Sequence, residues 1–378
     1  MFHRRKGTVP GAALLWLCTG VVVAIAFLGR RVDGSADELI GGDAPVLLVV
    51  GWLVVALLLG ATITRRIERY TRIAAGPGLT LAYDMLTVLL VASWPICVLA
   101  FVTRHWLLGV LTAVAVLEHV LAVLPPMPRG RRPRWADTAP TLELVTANVF
   151  VHNRTPERAA QQLVECDADI VIINESTAHF VECFDRAGGL SVYPHRITDP
   201  TDTSEYAITV ASRLPFAPGS GMRDVGPLRA AVVVVSVASR QLHLVATHLA
   251  ASLELGGLAK WRKQIEVLRT LIPTLDTPLL IAGDMNMTSR RPEFSKLLSL
   301  GLSDAVADVG SPRVGSLKMA ASGLLGWIGP ITRVDYVFTD AGCVPLSARN
   351  LRAFGSDHLP LKIRLAIRWD DTSGSSSR

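Results

Sequence analysis

Asp284 and Asn286 close the run Leu-Leu-Ile-Ala-Gly-Asp-Met-Asn (279–286), where an apolar strand breaks at a glycine and delivers a carboxylate and a carboxamide two residues apart. A carboxylate there can orient or deprotonate a water, and a carboxamide can hydrogen-bond that water or an anionic substrate. Four further polar stations stand in comparable places. They are Asn148 in Leu-Val-Thr-Ala-Asn-Val, Glu175 in Ile-Val-Ile-Ile-Asn-Glu, His248 in Leu-Val-Ala-Thr-His-Leu, and Asp335 with Asp357 and His358 in Arg-Val-Asp-Tyr-Val-Phe and Gly-Ser-Asp-His-Leu-Pro. Each lies at or near the end of an apolar run of strand length, so a sheet brings all of them to one edge. Carboxylates beside a carboxamide and imidazoles suit one chemistry well: a hard divalent cation held by oxygen, a water made nucleophilic, and a charged oxygen steadied during phosphoester hydrolysis.

The elements that must position these residues are visible as patterns. Alternation makes Thr141 to Val149 a strand, and Glu157 to Cys166 has helical spacing with Ala160, Leu163 and Val164 on one face. The buried strand Ile170 to Asn174 follows. Further strands are expected at Tyr206 to Ala211, Ala230 to Val237, Leu242 to Thr247, Leu279 to Ala282, Val334 to Phe338 and Leu361 to Ile367, with helices at Leu258 to Ile272 and Pro292 to Leu300. Many strands with helices between them, no Gly-rich phosphate loop and no internal repeat give an α+β fold of two packed sheets with helices outside.

In this order and context the stations resemble the endonuclease/exonuclease/phosphatase superfamily of metal-dependent phosphoesterases, over roughly residues 141 to 369. The resemblance implies a four-layer α/β/β/α sandwich, deoxyribonuclease-like, and Mg2+ or Mn2+ as cofactor. It implies Glu175, Asp357 and Asn148 as metal contacts, and Asp284, Asn286, His248, Asp335, His358 and Asn148 as catalytic residues. Asp284 would handle the attacking water with Asn286, and His248 would stand near the leaving group. His358 would meet a nonbridging phosphate oxygen, with Asp335 orienting its ring. Asn174 replaces the glutamine usual in that family before the glutamate, and Phe150 replaces an aspartate common in its nucleases. Arg262 and Gln264 fall where relatives carry Arg and Gln on a helix, and are read as structural.

Half of the 378 residues are apolar, and the mean hydropathy of +0.38 is high for a soluble protein. The excess is local: four segments of roughly membrane-spanning length, 9–28, 44–63, 79–102 and 106–124, precede the motifs. Residues 1–124 therefore read as a transmembrane region of about four helices, 125–140 as a Pro/Arg-rich linker, 141–369 as the catalytic domain and 370–378 as a disordered tail. Up to Asp137 the chain has 14 Lys and Arg against 8 Asp and Glu, and beyond it 24 against 24. A neutral catalytic half lacks the overall positive charge that suits a polynucleotide, and the basic flanks suit a bilayer. Five cysteines show no pair with metal-ligand spacing and no disulfide framework.

The stretch Met319 to Pro330, with Leu324, Leu325, Trp327 and Ile328, forms either core or an apolar lip beside the cleft. The N-terminal spans resemble a membrane-anchored bacterial branch of the same superfamily, which acts on polyprenyl phosphates or pyrophosphates. The expected partners are thus the bilayer and a phosphorylated lipid, with a membrane-anchored nuclease or a non-catalytic member as alternatives. Over four spans, 11 Lys and Arg fall on the side of the catalytic half against 3 on the other, which favours a cytoplasmic domain. The resemblance favours an extracytoplasmic one.

Overall fold

The computed structural model describes residues 44–70, 77–123, 132–198, 206–238, 240–252, 256–310, 315–318 and 332–368. The expected first span 9–28, the apolar stretch 319–330 and the tail 370–378 lie outside the described residues, as does the linker up to residue 131. Contacts divide the chain into two units, one formed by the N-terminal helices with Ser289–Ser295 and the other carrying every motif residue.

Helices Ala44–Tyr70, Pro77–Leu89, Ser93–Val102 and Trp106–Val123 make up the first unit, with a 3-10 turn, Leu90–Ala92, joining the second to the third. Val55, Leu58, Leu86, Leu90, Leu108 and Ala115 pack between them. Polar groups inside this unit are paired: Arg66 with Glu118, Trp94 Nε1 with His119 Nδ1 at 2.8 Å, and Asp84 with Arg291 of the Ser289–Ser295 segment at 3.0 Å. Of the expected spans that fall in described residues, the last needs correction. Among the described residues two stretches, Leu48–Ile67 and Gly78–Val102, are long and apolar enough to cross a bilayer. The apolar part of the last helix, Trp106–Leu121, is too short. It starts only after the turn at Thr103–His105, where Arg104 has φ 61°, so its 16 residues rise only about 24 Å against a hydrocarbon core of about 30 Å.

In the second unit, twelve strands among the described residues form two sheets. They are β1 (Thr141–Asn148), β2 (Ile170–Asn174), β3 (His195–Thr198), β4 (Ile208–Ser212), β5 (Gly221–Val225) and β6 (Leu228–Val237). The series continues with β7 (Arg240–His248), β8 (Leu279–Asp284), β9 (Ser303–Asp304), β10 (Asp335–Thr339), β11 (Cys343–Asn350) and β12 (Leu361–Ile367). One sheet has the order β11-β12-β1-β2-β4-β3 and the other β5-β6-β7-β8-β10-β9. In each, only the central pair is parallel, β1 with β2 and β7 with β8. Alternate residues such as Leu142, Leu144, Ile170, Ile172, Leu244 and Leu280 face the other sheet and form the inner core. On the far side of the first sheet, Val145, Val171 and Ile173 pack under helices Pro156–Glu165 and Ala178–Arg186. The helix Gly257–Leu271 buries Trp261, Ile265 and Leu268.

Most expected elements are present with ends shifted by one or two residues. The strands missed in sequence are the edge or solvent-facing ones. β5 is largely exposed, and β11 carries Pro345 at a bulge, so neither shows clean alternation.

Gly283 lets β8 lie close against its neighbour β7 and against Asn174 of the facing sheet. Its φ is 138°, and a Cβ there would stand 1.9 Å from the Thr247 carbonyl oxygen and 3.3 Å from Asn174 Oδ1. Gly219 also has a positive φ, 87°, with open space around it. Gly219→Ala therefore carries only the backbone penalty of about 1–2 kcal/mol. Gly283→Ala adds a backbone clash and is expected to cost more than about 3 kcal/mol in urea unfolding. Equal losses for the two variants would contradict the close approach.

Candidate active site

Strand register gathers the motif residues. Asp284 ends β8 directly opposite Asp335 of β10 and beside His248 at the end of β7. In the other sheet Asn148 ends β1 beside Asn174 of β2, with Glu175 one residue further. Asn174 ties the two sheets together, since its Oδ1 accepts from the Asp284 backbone N–H at 3.1 Å and its Nδ2 donates to Thr247 O at 3.3 Å. Asn148 makes the second tie. Its Nδ2 donates to Glu175 Oε1 at 2.7 Å and to Asp284 Oδ2 at 3.1 Å.

Two site residues have left-handed backbones. Asn286, at φ 45°, is a residue type that tolerates this, and its N–H closes a turn onto Asp284 Oδ1 at 2.8 Å. Its Nδ2 donates to Leu249 O at 2.8 Å and lies 3.4 Å from His248 Nε2. Glu175, at φ 59°, is strained by about 1–3 kcal/mol. It is held by both carboxylate oxygens, because Oε2 also accepts from Val151 N–H at 2.6 Å.

At the centre lie Asp284, Asp335 and His358, whose ligand atoms stand within 4.8 Å of one another. Asp284 and Asp335 are each 1% exposed. His358 Nδ1 meets Asp335 Oδ2 at 2.8 Å, and its Nε2 lies 3.7 Å from Asp284 Oδ2. His248 Nε2 approaches the same Asp284 oxygen at 3.6 Å. Burial, and after it the neighbouring Asp335, push the Asp284 carboxyl above the usual carboxylate range, while His358 and His248 pull it back. For His358 burial disfavours the cation, but Asp335 and Asp284 outweigh it and push the imidazole up to about 10.

The residues fit a hard divalent cation. Because both nitrogens of His358 face carboxylates, the ring is occupied as a donor and the remaining candidates are oxygens. Among the described residues, Asp335 Oδ1 and Asp357 Oδ1 are buried with no hydrogen-bond partner, a costly state that a cation relieves. Asp357 adjoins His358 and adds to the negative charge around it. The structure thus brings Asn148, Glu175, His248, Asp284, Asn286, Asp335 and His358 into one connected group, with Asp357 at its side.

Other residues were not singled out in sequence. Ser356 Oγ donates to Asn148 O at 2.8 Å and accepts from His358 N–H at 3.0 Å. Ser316 Oγ accepts from the N–H groups of Val334 and Asp335 at 3.0 and 3.1 Å. Ser356 lies inside the Gly-Ser-Asp-His motif, two residues before His358, a spacing that signals a serine turn. Ser316 has no sequence signal, because its partner strand is remote. Gln264 bridges Ala250 N–H and Pro227 O, at 2.8 and 3.1 Å, in agreement with its structural reading.

Two sheets meeting over buried carboxylates and an imidazolium define a metal-dependent phosphoesterase. The chain belongs to the endonuclease/exonuclease/phosphatase family, whose model matches residues 145–358. Members of that family are phosphoric ester hydrolases that typically use a divalent metal. No curated protein matches the chain in sequence. Among solved structures it is similar to an endonuclease/exonuclease/phosphatase from Beutenbergia cavernae, at 19% identity and TM-score 0.47, over 60% of this chain and 72% of that one. Sphingomyelinase C from Streptomyces griseocarneus matches at 18% identity and TM-score 0.45, over 61% and 100%. TDP2 from D. rerio, complexed with a single strand DNA product, matches at 16% and 0.48, over 60% and 98%.

The charge on His358 is directly testable. In metal-free protein its ring is expected to stay protonated through neutral pH and titrate near pH 10, as read by NMR of labelled histidine. Asp335→Asn should return it toward the ordinary 6.5. Since the folded value is raised, the stabilisation is complete below pH 6.5 and fades as pH climbs through about 10. A ring that is neutral at pH 8 in the wild type would contradict the pairing.

Proposed function

We propose that the protein is a membrane-bound phosphoesterase that uses Mg2+ or Mn2+ to hydrolyse a phosphoester or pyrophosphate bond of a membrane lipid, such as a polyprenyl phosphate or pyrophosphate. The observation that carries this reading is the pairing of a hydrolytic Asp/His centre in one unit with apolar helices in the other. Among the described residues every exposed large apolar side chain, apart from Leu190 and Val225, lies on those helices. A surface of Val49, Leu53, Leu57, Val98, Val102, Val110 and Leu117 suits lipid tails and is costly in water. The balanced charge of the catalytic half adds support, because polynucleotide binding ordinarily draws on excess Lys and Arg.

Glu175, with Asp357 and Asn148, would hold the cation. When bound, it would draw charge from the phosphoryl oxygens and ease the approach of an anionic nucleophile. Asp284 takes the proton of the attacking water. Burial, and after it Asp335, raise its affinity for that proton. The Asn148 carboxamide and the Asn286 backbone N–H hold the Asp284 carboxylate in place, and the Asn286 side chain would meet the water or the phosphate. His358, charged and fixed by Asp335, donates to a nonbridging phosphoryl oxygen where negative charge accumulates. His248 leaves its buried Nδ1 without a partner among the described residues, and serves the leaving oxygen.

Purified protein in detergent is expected to release phosphate from a polyprenyl pyrophosphate in the presence of Mg2+, to lose this on chelation, and to regain it with Mg2+ or Mn2+. Asp284→Asn and His358→Ala should lower turnover at least about a thousandfold with the fold retained. Glu175→Gln should raise the Mg2+ concentration needed at least about tenfold. Cleavage of plasmid DNA with no turnover of lipid phosphate would replace the lipid reading with the nuclease one. Activity that survives exhaustive chelation would overturn both.

A further inference from the structure

Away from the Asp284 centre, three donors of different chemistry converge on the outer helical layer. Glu157 stands in the first turn of helix Pro156–Glu165, and His179 and Cys183 lie four residues apart on helix Ala178–Arg186. That spacing places an imidazole and a thiol one above the other on a single helix face. The three ligand atoms lie within 4.8 Å of one another. Cys183 Sγ is 3.9 Å from His179 Nε2 and 3.9 Å from Glu157 Oε1. In a tetrahedral zinc site, with bonds of about 2.3 Å to sulfur and about 2.0–2.1 Å to nitrogen or oxygen, such donors stand about 3.6 Å apart.

We propose that Glu157, His179 and Cys183 form a second metal site, for one zinc-class cation, separate from the phosphoesterase centre. Thiolate and imidazole select Zn2+ over Mg2+, the reverse of the oxygen donors around Asp284. The thiolate and the carboxylate together carry two negative charges, which a dication neutralises. Glu157 and His179 are exposed while Cys183 is 2% exposed, so the ion sits at the rim of the layer with its fourth position open to water. In the metal-free protein burial pushes the Cys183 thiol up and Glu157 adds to this, with Arg186 Nη2, 3.6 Å from the sulfur, opposing them, so the thiolate is the form that a bound cation would favour. A cysteine packed against Phe180 and Phe184 has a ready role as a small apolar filler. That role does not account for an imidazole and a carboxylate turned onto its sulfur. The sequence showed no cysteine pair with ligand spacing because the partners here are a histidine one turn away and a glutamate on a different helix. Bound metal would cross-link the two helices that cover the first sheet.

The test is a Co2+ titration of the metal-free full-length protein in detergent, read by absorption. One Co2+ per chain is expected to give a thiolate-to-cobalt charge-transfer band and the intense visible bands of a four-coordinate ion. Zn2+ should bleach them and excess Mg2+ should not. His179→Ala and Glu157→Gln replace exposed side chains, so the fold is retained, and each should weaken Co2+ binding at least about tenfold. Cys183→Ser should abolish the charge-transfer band, and Glu175→Gln should leave it unchanged because the oxygen-rich centre contributes no sulfur band. Absence of the band in the wild type, or a band that survives both His179→Ala and Glu157→Gln undiminished, would overturn the proposal.

Discussion

Asp284 and Asp335 face one another across an antiparallel pair at the buried ends of β8 and β10, and the site is organised around the cost of that meeting. Two carboxylates at this distance, both out of water, cannot ionise together without positive charge nearby. His358 supplies one charge, with a nitrogen turned to each acid. Asn148 and the Asn286 N–H supply hydrogen bonds to Asp284, and Ser316 fixes the Asp335 backbone. The buried oxygens left without partners on Asp335 and Asp357 show that one imidazolium does not complete the balance. A divalent cation of the kind the family typically uses would complete it.

The architecture that enforces this meeting is symmetric in pattern. Each sheet has two antiparallel strands, a central parallel pair and two more antiparallel strands. Both strands of a parallel pair end at the same edge, so the pairs β1–β2 and β7–β8 each release side chains there: Asn148 with Asn174, and His248 with Asp284. Packing one sheet on the other brings the two edges together, and Asn174 seals them through Thr247 and Asp284. A side chain at Gly283 would collide with the Thr247 carbonyl of the neighbouring strand β7 and crowd Asn174 of the facing sheet.

Much of this was legible in the sequence because apolar runs announce buried strands, and a polar residue at the end of such a run announces an edge. Ile170 to Asn174 and Leu361 to Ile367 were read with the ends they have. Where burial is one-sided or absent the signal fades, as at β5 and at the bulged β11. Ser316 and Asn174 act through partners more than a dozen residues away, and pairing at that range leaves no local pattern. Apolar content marked the N-terminal helices, but among the described residues it overestimated the length of the last expected span. Composition records how greasy a segment is, whereas the turn at Arg104 sets where the helix Trp106–Val123 begins.

The central claim is that the meeting edge of the two sheets holds a divalent cation by its carboxylates. Diffraction from crystals grown with Mn2+, recorded at the manganese absorption edge, tests this most directly. The account predicts an anomalous peak against Glu175, Asp357 and Asn148. Manganese found elsewhere on the molecule while that position stays empty would contradict it.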